Sequence, residues 1–271
     1  MGNNAKIKIL VFHYKNGKPF PVLPCYQHIW AGKNGKIEPT QFDGDDTGDH
    51  ISPKNRYYSE LTGIYWFWKN CQSEIIGTSH YRRFFTKQPL PFFHYLKQLF
   101  YYPLGLKRKR SGLIYCSNSK YWEKRILNCA EINELFTFYD AVLPQPRRLK
   151  YTVEKHFSRY HHITDLQLLQ KIIDQKYPEY TSTFLIMLSQ KRLFANNMFI
   201  LKQAKFEELA KWLFDILKEF EQSVDLKNYT EYQERLFGFL SERLITTWFF
   251  HHHELKIKKL PLIYLKHLKN R

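Results

Sequence analysis

The sequence predicts an α/β protein built on a mainly parallel sheet that helices cover on both faces. Short apolar segments alternate along the chain with longer segments of helical periodicity, an order that is typical of βαβ units. The 271 residues, 44% of them hydrophobic and 17% aromatic, suit a single domain with a sizeable core. The C-terminal part is predicted to be helical.

In the N-terminal half, Lys6–Tyr14 predicts the first strand, and a short strand is expected at the end of the Pro- and Gly-containing segment 17–32. Apolar residues recur at helical spacing in 57–70, which predicts an amphipathic helix. The stretch Glu74–Phe85 then begins as a strand and carries the run His80–Arg83 at its end.

In the C-terminal half, a short helix is expected to lead into a strand at Asp140–Leu143, which Pro144 stops. An amphipathic helix follows in 164–177, and 193–202 predicts a buried strand. Two long helices, 203–224 and 231–252, complete the predicted core.

The formal net charge is +17, which favours a nucleic acid, an anionic membrane surface or a phosphorylated substrate as partner. Zinc-finger spacing, a basic region followed by heptads and an RNA-binding strand motif are all absent from the sequence, so nucleic acid is disfavoured. Apolar runs of spanning length and a secretory signal are also absent. We therefore expect a cytoplasmic protein.

The four cysteines are Cys25, Cys71, Cys116 and Cys129, and none of them forms a C-x-x-C pair. Without an export signal, free thiols are favoured over disulfides.

The run His80, Tyr81, Arg82 and Arg83 is the strongest chemical signal. A guanidinium group offers planar, bidentate donors that match phosphate oxygens, and ligands of such sheets bind beyond the carboxyl ends of strands. If the strand continued, Tyr81 and Arg83 would lie on one face and His80 and Arg82 on the other. The alternative is a surface arginine pair that binds helix C-terminal carbonyls.

The acidic segment 43–55 is expected to be a surface loop. It lacks the spacing and the terminal Glu of a calcium-binding hand, so a solvated loop is favoured for Asp43 and Asp45. Asp49, which lies close to Asn55 in sequence, is a better candidate for a ligand contact.

The histidine clusters indicate no metal site. Consecutive residues on a helix point in different directions, so the run 251–253 is predicted to be a helix C-terminus. His161, His162 and Asp165 either line a sugar pocket or cap a helix. Dinucleotide-binding, P-loop and nucleophile-elbow motifs are absent from the sequence, which disfavours hydride transfer, ATP hydrolysis and hydrolase chemistry.

Several strings occur in an order that resembles a known family. They are GDHISPKNRYYSELTGIYWFWKN, IIGTSHYRRFF, YDAVLPQPRRL, HHITDLQLLQKIIDQKYPEY, NNMFILK and LFGFLSERL. Together they resemble a bacterial family from capsule, lipopolysaccharide and exopolysaccharide gene clusters, long catalogued as a domain of unknown function and associated with glycosyltransferases, including galactofuranosyltransferases. The resemblance covers most of residues 6–260.

This resemblance implies a GT-A-like, Rossmann-type glycosyltransferase that binds a nucleotide-diphosphate sugar, with UDP-galactofuranose as one candidate donor. GTSHYRR occupies the strand where other GT-A enzymes carry a metal-binding Asp-x-Asp. Fixed cationic side chains would then stabilise the leaving diphosphate without a metal cofactor, although stimulation by Mn²⁺ or Mg²⁺ stays open. By the same resemblance, Asn196 and Asn197 contact the donor sugar.

Two departures from the family pattern stand out. The family commonly shows Gly-Asp-Asn-Ile-Ser, whereas this chain has His50 in place of the Asn. If that Asn contacts the donor, His50 would alter donor choice. Residues 88–128 are predicted to be an insertion in the single domain 1–271. Its aromatic residues precede the basic run Lys107–Arg110, which suits a membrane-associating segment; an ordinary core helix with a solvated turn is the alternative.

An inverting glycosyltransferase needs a carboxylate base on the acceptor side, and the candidates are Glu242, Asp165 and Asp49. Glu242 is equally suited to an ion pair with Arg243 or Arg235. Inversion is favoured, and retention stays open. The expected partners are the nucleotide-sugar donor, a lipid-linked or oligosaccharide acceptor, and the inner face of the plasma membrane. The rival functions are a non-catalytic glycan- or nucleotide-binding module and a basic nucleic-acid binder.

Overall fold

The computed structural model describes residues 6–14, 17–36, 41–89, 91–101, 112–116, 118–227 and 229–265. Within these ranges the strands are β1 Ile7–His13, β2 Tyr26–Trp30, β3 Asp43–Gly44, β4 Ile75–His80, β5 Arg83–Phe85, β6 Leu113–Cys116, β7 Ala141–Pro144, β8 Arg147–Arg148, β9 Arg192–Leu193, β10 Ile200–Lys202, β11 Ile257–Leu260 and β12 Leu262–Leu265. The helices are α1 Asn55–Tyr58, α2 Leu61–Asn70, α3 Phe92–Tyr101, α4 Ser119–Glu123, α5 Cys129–Leu135, α6 Val153–Ser158, α7 Ile163–Lys176, α8 Thr181–Ser189, α9 Gln203–Ser223, α10 Glu231–Glu234 and α11 Leu236–His251.

The central sheet has the strand order β11-β7-β10-β4-β1-β2-β3. Every neighbouring pair in this row is parallel except the two that involve β10, which runs antiparallel to both β4 and β7. Strands β1, β2, β3, β4, β7 and β11 therefore all point the same way. Their carboxyl ends and the amino end of β10 meet at one edge of the sheet.

The two faces of the sheet bury separate cores, as alternation along a strand requires. In β1, Leu10 and Phe12 pack into the core formed with α2, α7, α9 and α11. Ile9 and Val11 point to the other face, where the core includes β5, β6, β12 and α5. Helix α2 lies close on β1, because a Cβ at Gly63 would collide with the ring of Phe12. The predicted α/β class with a mainly parallel, helix-flanked sheet is confirmed.

The C-terminal part contains the first predicted long helix as α9, whereas the second is divided at Arg235 into α10 and α11. Beyond them lie two strands that were not expected. β11 pairs parallel to β7, and β12 joins β5 to β6. The predicted strand 193–202 was wrong in its middle, because residues 194–199 are irregular and separate β9 from β10. Strand β6 and the buried residues Trp122, Ile126 and Leu127 lie within 88–128. That this range is an insertion relative to the family stays a prediction.

The expectation of four free thiols was wrong for two cysteines. Cys25 and Cys129 form a disulfide, whereas Cys71 and Cys116 are free. The start of β2 and the start of α5 lie side by side in the fold, with 5.8 Å between the Cα atoms of the two cysteines, a proximity that spacing in the sequence does not reveal. Among the described helices, none combines the length and apolar character needed to cross a membrane.

Candidate active site

Polar side chains gather at the sheet edge where the parallel strands end. His13 is the last residue of β1, His80 is the last residue of β4, and Arg147 follows β7. Asn196 and Asn197 reach the same edge because they precede the reversed strand β10, whose Ile200 pairs with Gly77 of β4. The topology thus assembles residues that are far apart in sequence.

A hydrogen-bonded chain links β4 to α11 through the segment before β10. His80 Nε2 donates to the carbonyl oxygen of Asn196 at 2.7 Å, and the Asn196 N–H donates to Glu242 Oε1 at 2.7 Å. Both Asn196 (φ 78°) and Asn197 (φ 49°) have left-handed backbone conformations. Two consecutive non-glycine residues in this region are rare and are held only where surrounding contacts fix them, often at functional sites.

Glu60 joins this cluster although no sequence pattern pointed to it. Its Oε1 accepts a hydrogen bond from Asn197 Nδ2 at 2.9 Å and lies 3.8 Å from His80 Nε2. In the described part of the chain, no group donates to the other carboxylate oxygen, Oε2. Glu60 precedes α2 directly, and Ser59, with φ 52°, sets the turn that carries it.

The two asparagines differ in what their side chains have left to bind. The buried Asn197 donates to both Glu60 and the Gly238 carbonyl, and its Oδ1 accepts from Ser241 Oγ. Its amide is therefore fully engaged within the protein. Asn196 is half-buried, and its side-chain amide makes no hydrogen bond to the described residues, which leaves it available to a ligand.

Glu242 is paired on both oxygens. Oε1 accepts from the Asn196 N–H, and Oε2 accepts from Nη1 of the fully buried Arg243 at 3.2 Å. Burial raises the pKa of Glu242, while the Arg243 charge and the Asn196 hydrogen bond lower it. The predicted ion pair with Arg243 is present, and Glu242 also fixes the left-handed segment.

The surroundings of His80 favour its neutral form. Burial lowers the pKa of His80, the Glu60 carboxylate opposes this shift, and the positive charge of Arg83 adds to it. The neutral imidazole donates through Nε2 to the Asn196 carbonyl, which leaves Nδ1 as an acceptor.

The chain reverses direction within the His-Tyr-Arg-Arg run. His80 of β4 pairs with Arg83 of the antiparallel strand β5, so Tyr81 and Arg82 form a two-residue turn. The expectation of simple strand alternation through Arg83 was therefore wrong. The hairpin places the side chains of Arg82 and Arg83 against the ring of Tyr264 in β12. The guanidinium Cζ atoms lie 5.7 Å (Arg82) and 5.4 Å (Arg83) from the ring centroid.

Arg83 carries an unsatisfied donor. Its Nε is buried and has no hydrogen-bond partner in the described structure. A buried guanidinium donor without a partner costs free energy unless a ligand binds it. Arg83 therefore presents an anion-binding group beside His80.

Aromatic side chains form a second part of the edge, of which only Tyr81 was predicted. The hydroxyl groups of Tyr14 and Tyr81 lie 2.7 Å apart, and the ring of His13 stacks on Phe42 with 4.0 Å between centroids. Burial, with a smaller contribution from His28, lowers the pKa of His13 to about 3. These rings border the turn that carries Arg82.

The acidic loop is more ordered than expected. The solvated position predicted for Asp45 was wrong, because Asp45 is fully buried and accepts hydrogen bonds from the N–H groups of Gly32 and Lys33 and from Ser52 Oγ. Gly32 turns with φ +74° at the end of β2, and these three donors satisfy the carboxylate. Asp43 is exposed, as expected.

Asp49 lies at the surface of this loop, whereas the half-buried Asn55, at the start of α1, packs against Gly32. Asp49 is exposed, and its Oδ1 accepts from Tyr65 Oη at 3.1 Å. Asn55 Nδ2 donates to the Ser59 carbonyl and to Thr62 Oγ1. The structure shows no hydrogen bond from either side chain to His80.

Asp165 lies apart from the hydrogen-bonded cluster. It is buried in the first turn of α7, and its Oδ1 accepts from Tyr229 Oη at 2.6 Å. Burial raises the pKa of Asp165, and the Tyr229 hydrogen bond opposes this shift. In the described structure, no hydrogen bond joins Asp165 to Glu60, His80 or Glu242.

The family of the chain follows from a direct comparison. A family model described as "Domain of unknown function (DUF4422)" matches residues 8–253, which is most of the chain and includes every element of the site except β12. The chain belongs to the DUF4422 family. No curated protein matches it significantly.

Among solved structures, this DUF4422 chain is similar to the WbbM bifunctional glycosyltransferase in its apo form. The two share 26% identity and superpose with a TM-score of 0.84 over 97% of this chain. The chain covers 46% of the WbbM chain, so it spans about half of the length of that bifunctional protein.

The donor set at the end of β4 does not suit a divalent cation. β4 ends in His80, whose Nε2 is already bonded, and two guanidinium groups follow at Arg82 and Arg83. Arginine cannot ligate a metal, because it has no acceptor. Among the described residues, no three or more His, Cys, Asp or Glu side chains are placed to hold a metal ion.

Proposed function

We propose that the chain is a glycosyltransferase that moves a sugar from a nucleotide-diphosphate donor to a glycan or lipid-linked acceptor in surface polysaccharide synthesis. The observation that carries this proposal is the buried, unpartnered Nε of Arg83 at the sheet edge, beside His80, whose Nε2 lies 3.8 Å from Glu60 Oε1. The similarity to a bifunctional glycosyltransferase over nearly the whole chain supports it.

The two arginines take the diphosphate in this proposal. Charge builds on the leaving diphosphate as the bond to the anomeric carbon breaks, and fixed guanidinium donors stabilise that charge. Arg82 and Arg83 share one aromatic wall, Tyr264, which orients both planar groups. Transfer would then need no metal. The exposed ring of Tyr14 and the half-buried ring of Tyr81 are suited to stack a nucleobase.

A carboxylate base is supplied by Glu60 in this scheme. Its Oε2 has no donor among the described residues, whereas both oxygens of Glu242 are occupied by protein donors. Glu60 would accept the proton of the acceptor hydroxyl in an inverting displacement, with Glu242 positioning Asn196. Asn196 would contact the donor sugar. UDP-galactofuranose is one donor to test.

The test is release of nucleoside diphosphate from a panel of sugar nucleotides, with and without chelator and with glycan acceptors. The panel is repeated with Arg82→Ala and Arg83→Ala, and the exposed Arg192→Ala is the control. We expect a loss of roughly 10²-fold in kcat/KM for each of the first two variants, because an oriented charge-stabilising donor contributes about that much. Turnover that survives Arg83→Ala unchanged, or nucleotide binding without turnover, would contradict the proposal.

A further inference from the structure

Helix α3 exposes its apolar face to solvent. Phe92, Phe93, Leu99 and Phe100 are 69%, 83%, 51% and 70% exposed. At 3.6 residues per turn, positions i, i+1, i+7 and i+8 lie on one side of a helix. A globular helix normally turns this side inward, as α9 does with Leu209, Leu213 and Ile216.

The surrounding sequence is strongly and uniformly basic. Residues 75–122 contain nine Lys or Arg and no Asp or Glu, and the run Lys107–Arg110 follows α3 closely. This segment combines an apolar helix face with positive charge that no acidic residue offsets. It is therefore complementary to a bilayer, which has an apolar acyl-chain interior and can carry anionic headgroups. A symmetric contact with a second copy would bring two such basic segments together, and like charges repel.

We propose that the apolar face of α3, formed by Phe92, Phe93, Leu99 and Phe100, docks the protein on an anionic lipid bilayer. The helix lies in the interface, with its aromatic side chains among the acyl chains, and does not cross the membrane. With ten residues, α3 is about half as long as a spanning helix.

The position of α3 in the chain gives this docking a role. Strand β5 connects the turn at Tyr81 and Arg82 to α3, with only residues 86–91 between β5 and the helix. A membrane-bound α3 therefore keeps the candidate active site close to the bilayer, where a lipid-linked acceptor is presented. This role rests on the proposed function, whereas docking itself does not.

The experiment measures binding of the full chain to vesicles by co-sedimentation, with no catalytic readout. Neutral phosphatidylcholine vesicles are compared with vesicles that contain phosphatidylglycerol, at low and at physiological salt. The test variant is Phe93→Ser/Phe100→Ser. The matched control is Phe138→Ser, which removes a ring that is 71% exposed but lies outside α3.

We expect the wild-type chain and Phe138→Ser to bind anionic vesicles equally. The double variant should bind at least about tenfold more weakly, because two aromatic side chains are lost from the apolar phase. All of these side chains are exposed, so unfolding should be similar for the three proteins.

Equal binding of all three proteins, abolished by salt, would overturn the proposal, since the net charge alone would then explain adsorption. Dimerisation without lipid that depends on Phe93 and Phe100 would also overturn it, in favour of a second copy. Failure of the sugar-nucleotide panel would leave the docking result unaffected, so the two proposals are separable.

Discussion

At the scale of single residues, the candidate site depends on Glu60 and Glu242, two half-buried carboxylates with different surroundings. Glu242 is paired with a buried arginine and with a backbone N–H, while Glu60 accepts from one amide and approaches one imidazole. The first environment stabilises the negative charge, and the second leaves an oxygen for a substrate. Their substitution should therefore have different effects.

Glu60→Gln should abolish most transfer and leave the fold intact. The glutamine oxygen still accepts from Asn197 Nδ2, so stability should change little, but an amide cannot take a proton. We expect kcat to fall by about 10²-fold or more, within the usual contribution of a general base. Single-turnover kinetics would measure it, and thermal unfolding would show that the variant is folded.

Glu242→Gln is the matched comparison. It leaves Arg243 without its carboxylate, so the variant should be destabilised by about 3 kcal/mol, as expected when one partner of a buried ion pair is lost. A variant that instead kept its stability and lost activity as severely as Glu60→Gln would assign the base to Glu242.

At the scale of structural elements, the loop between β2 and α1 is built around one buried carboxylate. Asp45 ties the turn after β2 to Ser52 through three hydrogen bonds. Because Gly32 and Lys33 directly follow the β2 end, this contact sets the shape of the sheet edge next to the candidate site.

Asp45→Ala should destabilise the protein by about 3 kcal/mol, because it leaves the buried Gly32 N–H without a partner and removes hydrogen bonds to a charged acceptor. The control is Asp43→Ala in the short strand β3, two residues away. Asp43 is exposed and accepts from Gln27, so its loss should cost well under 1 kcal/mol. Urea unfolding measures both, and equal effects would contradict a structural role for Asp45.

Periodicity was sufficient to predict the long and strongly patterned elements. β1, the helix α2, and the pair α9 and α11 follow directly from apolar spacing. β11 was missed because two lysines interrupt its apolar residues, and β12 because it is only four residues long and follows Pro261. The strand character of both depends on pairing with β5, β6 and β7.

The site was predictable only where its residues are adjacent in sequence. His80 and Arg83 stand together, so their chemistry was visible. Glu60 reaches them only through the left-handed turn at Ser59, and Asp45 is buried only because three donors surround it. Such features arise from tertiary packing, which spacing along one chain does not encode.

At the scale of the whole molecule, buried histidines make stability sensitive to acid. Burial, aided by Arg243, lowers the pKa values of His156 and His161 to about 4. In the unfolded chain these groups take up protons near pH 6.5. The folded state binds fewer protons over this range, so the contribution of these histidines to the free energy of unfolding is fully present above about pH 6.5 and is lost as the pH falls toward 4.

The midpoint temperature of thermal unfolding should therefore decrease as the pH is lowered from 6.5 to 4. His161 packs between the rings of Phe157 and Phe239, so His161→Phe can occupy the same aromatic stack without titrating. The unfolding temperature of this variant should decrease less over the same pH range than that of the wild-type chain. A wild-type midpoint that is constant over this range would contradict neutral burial of the histidines.

The Cys25–Cys129 bond closes residues 25–129 into a covalent ring. The two cysteines are 104 residues apart, and the ring they close contains β4, the Tyr81–Arg82 turn and α3. When the chain unfolds, the segments before Cys25 and after Cys129 can extend freely, but the residues inside the ring cannot become fully extended. The denatured ensemble therefore loses conformational freedom in the same stretch that carries the arginine pair and the proposed docking helix, which favours the return of both to their places in the fold.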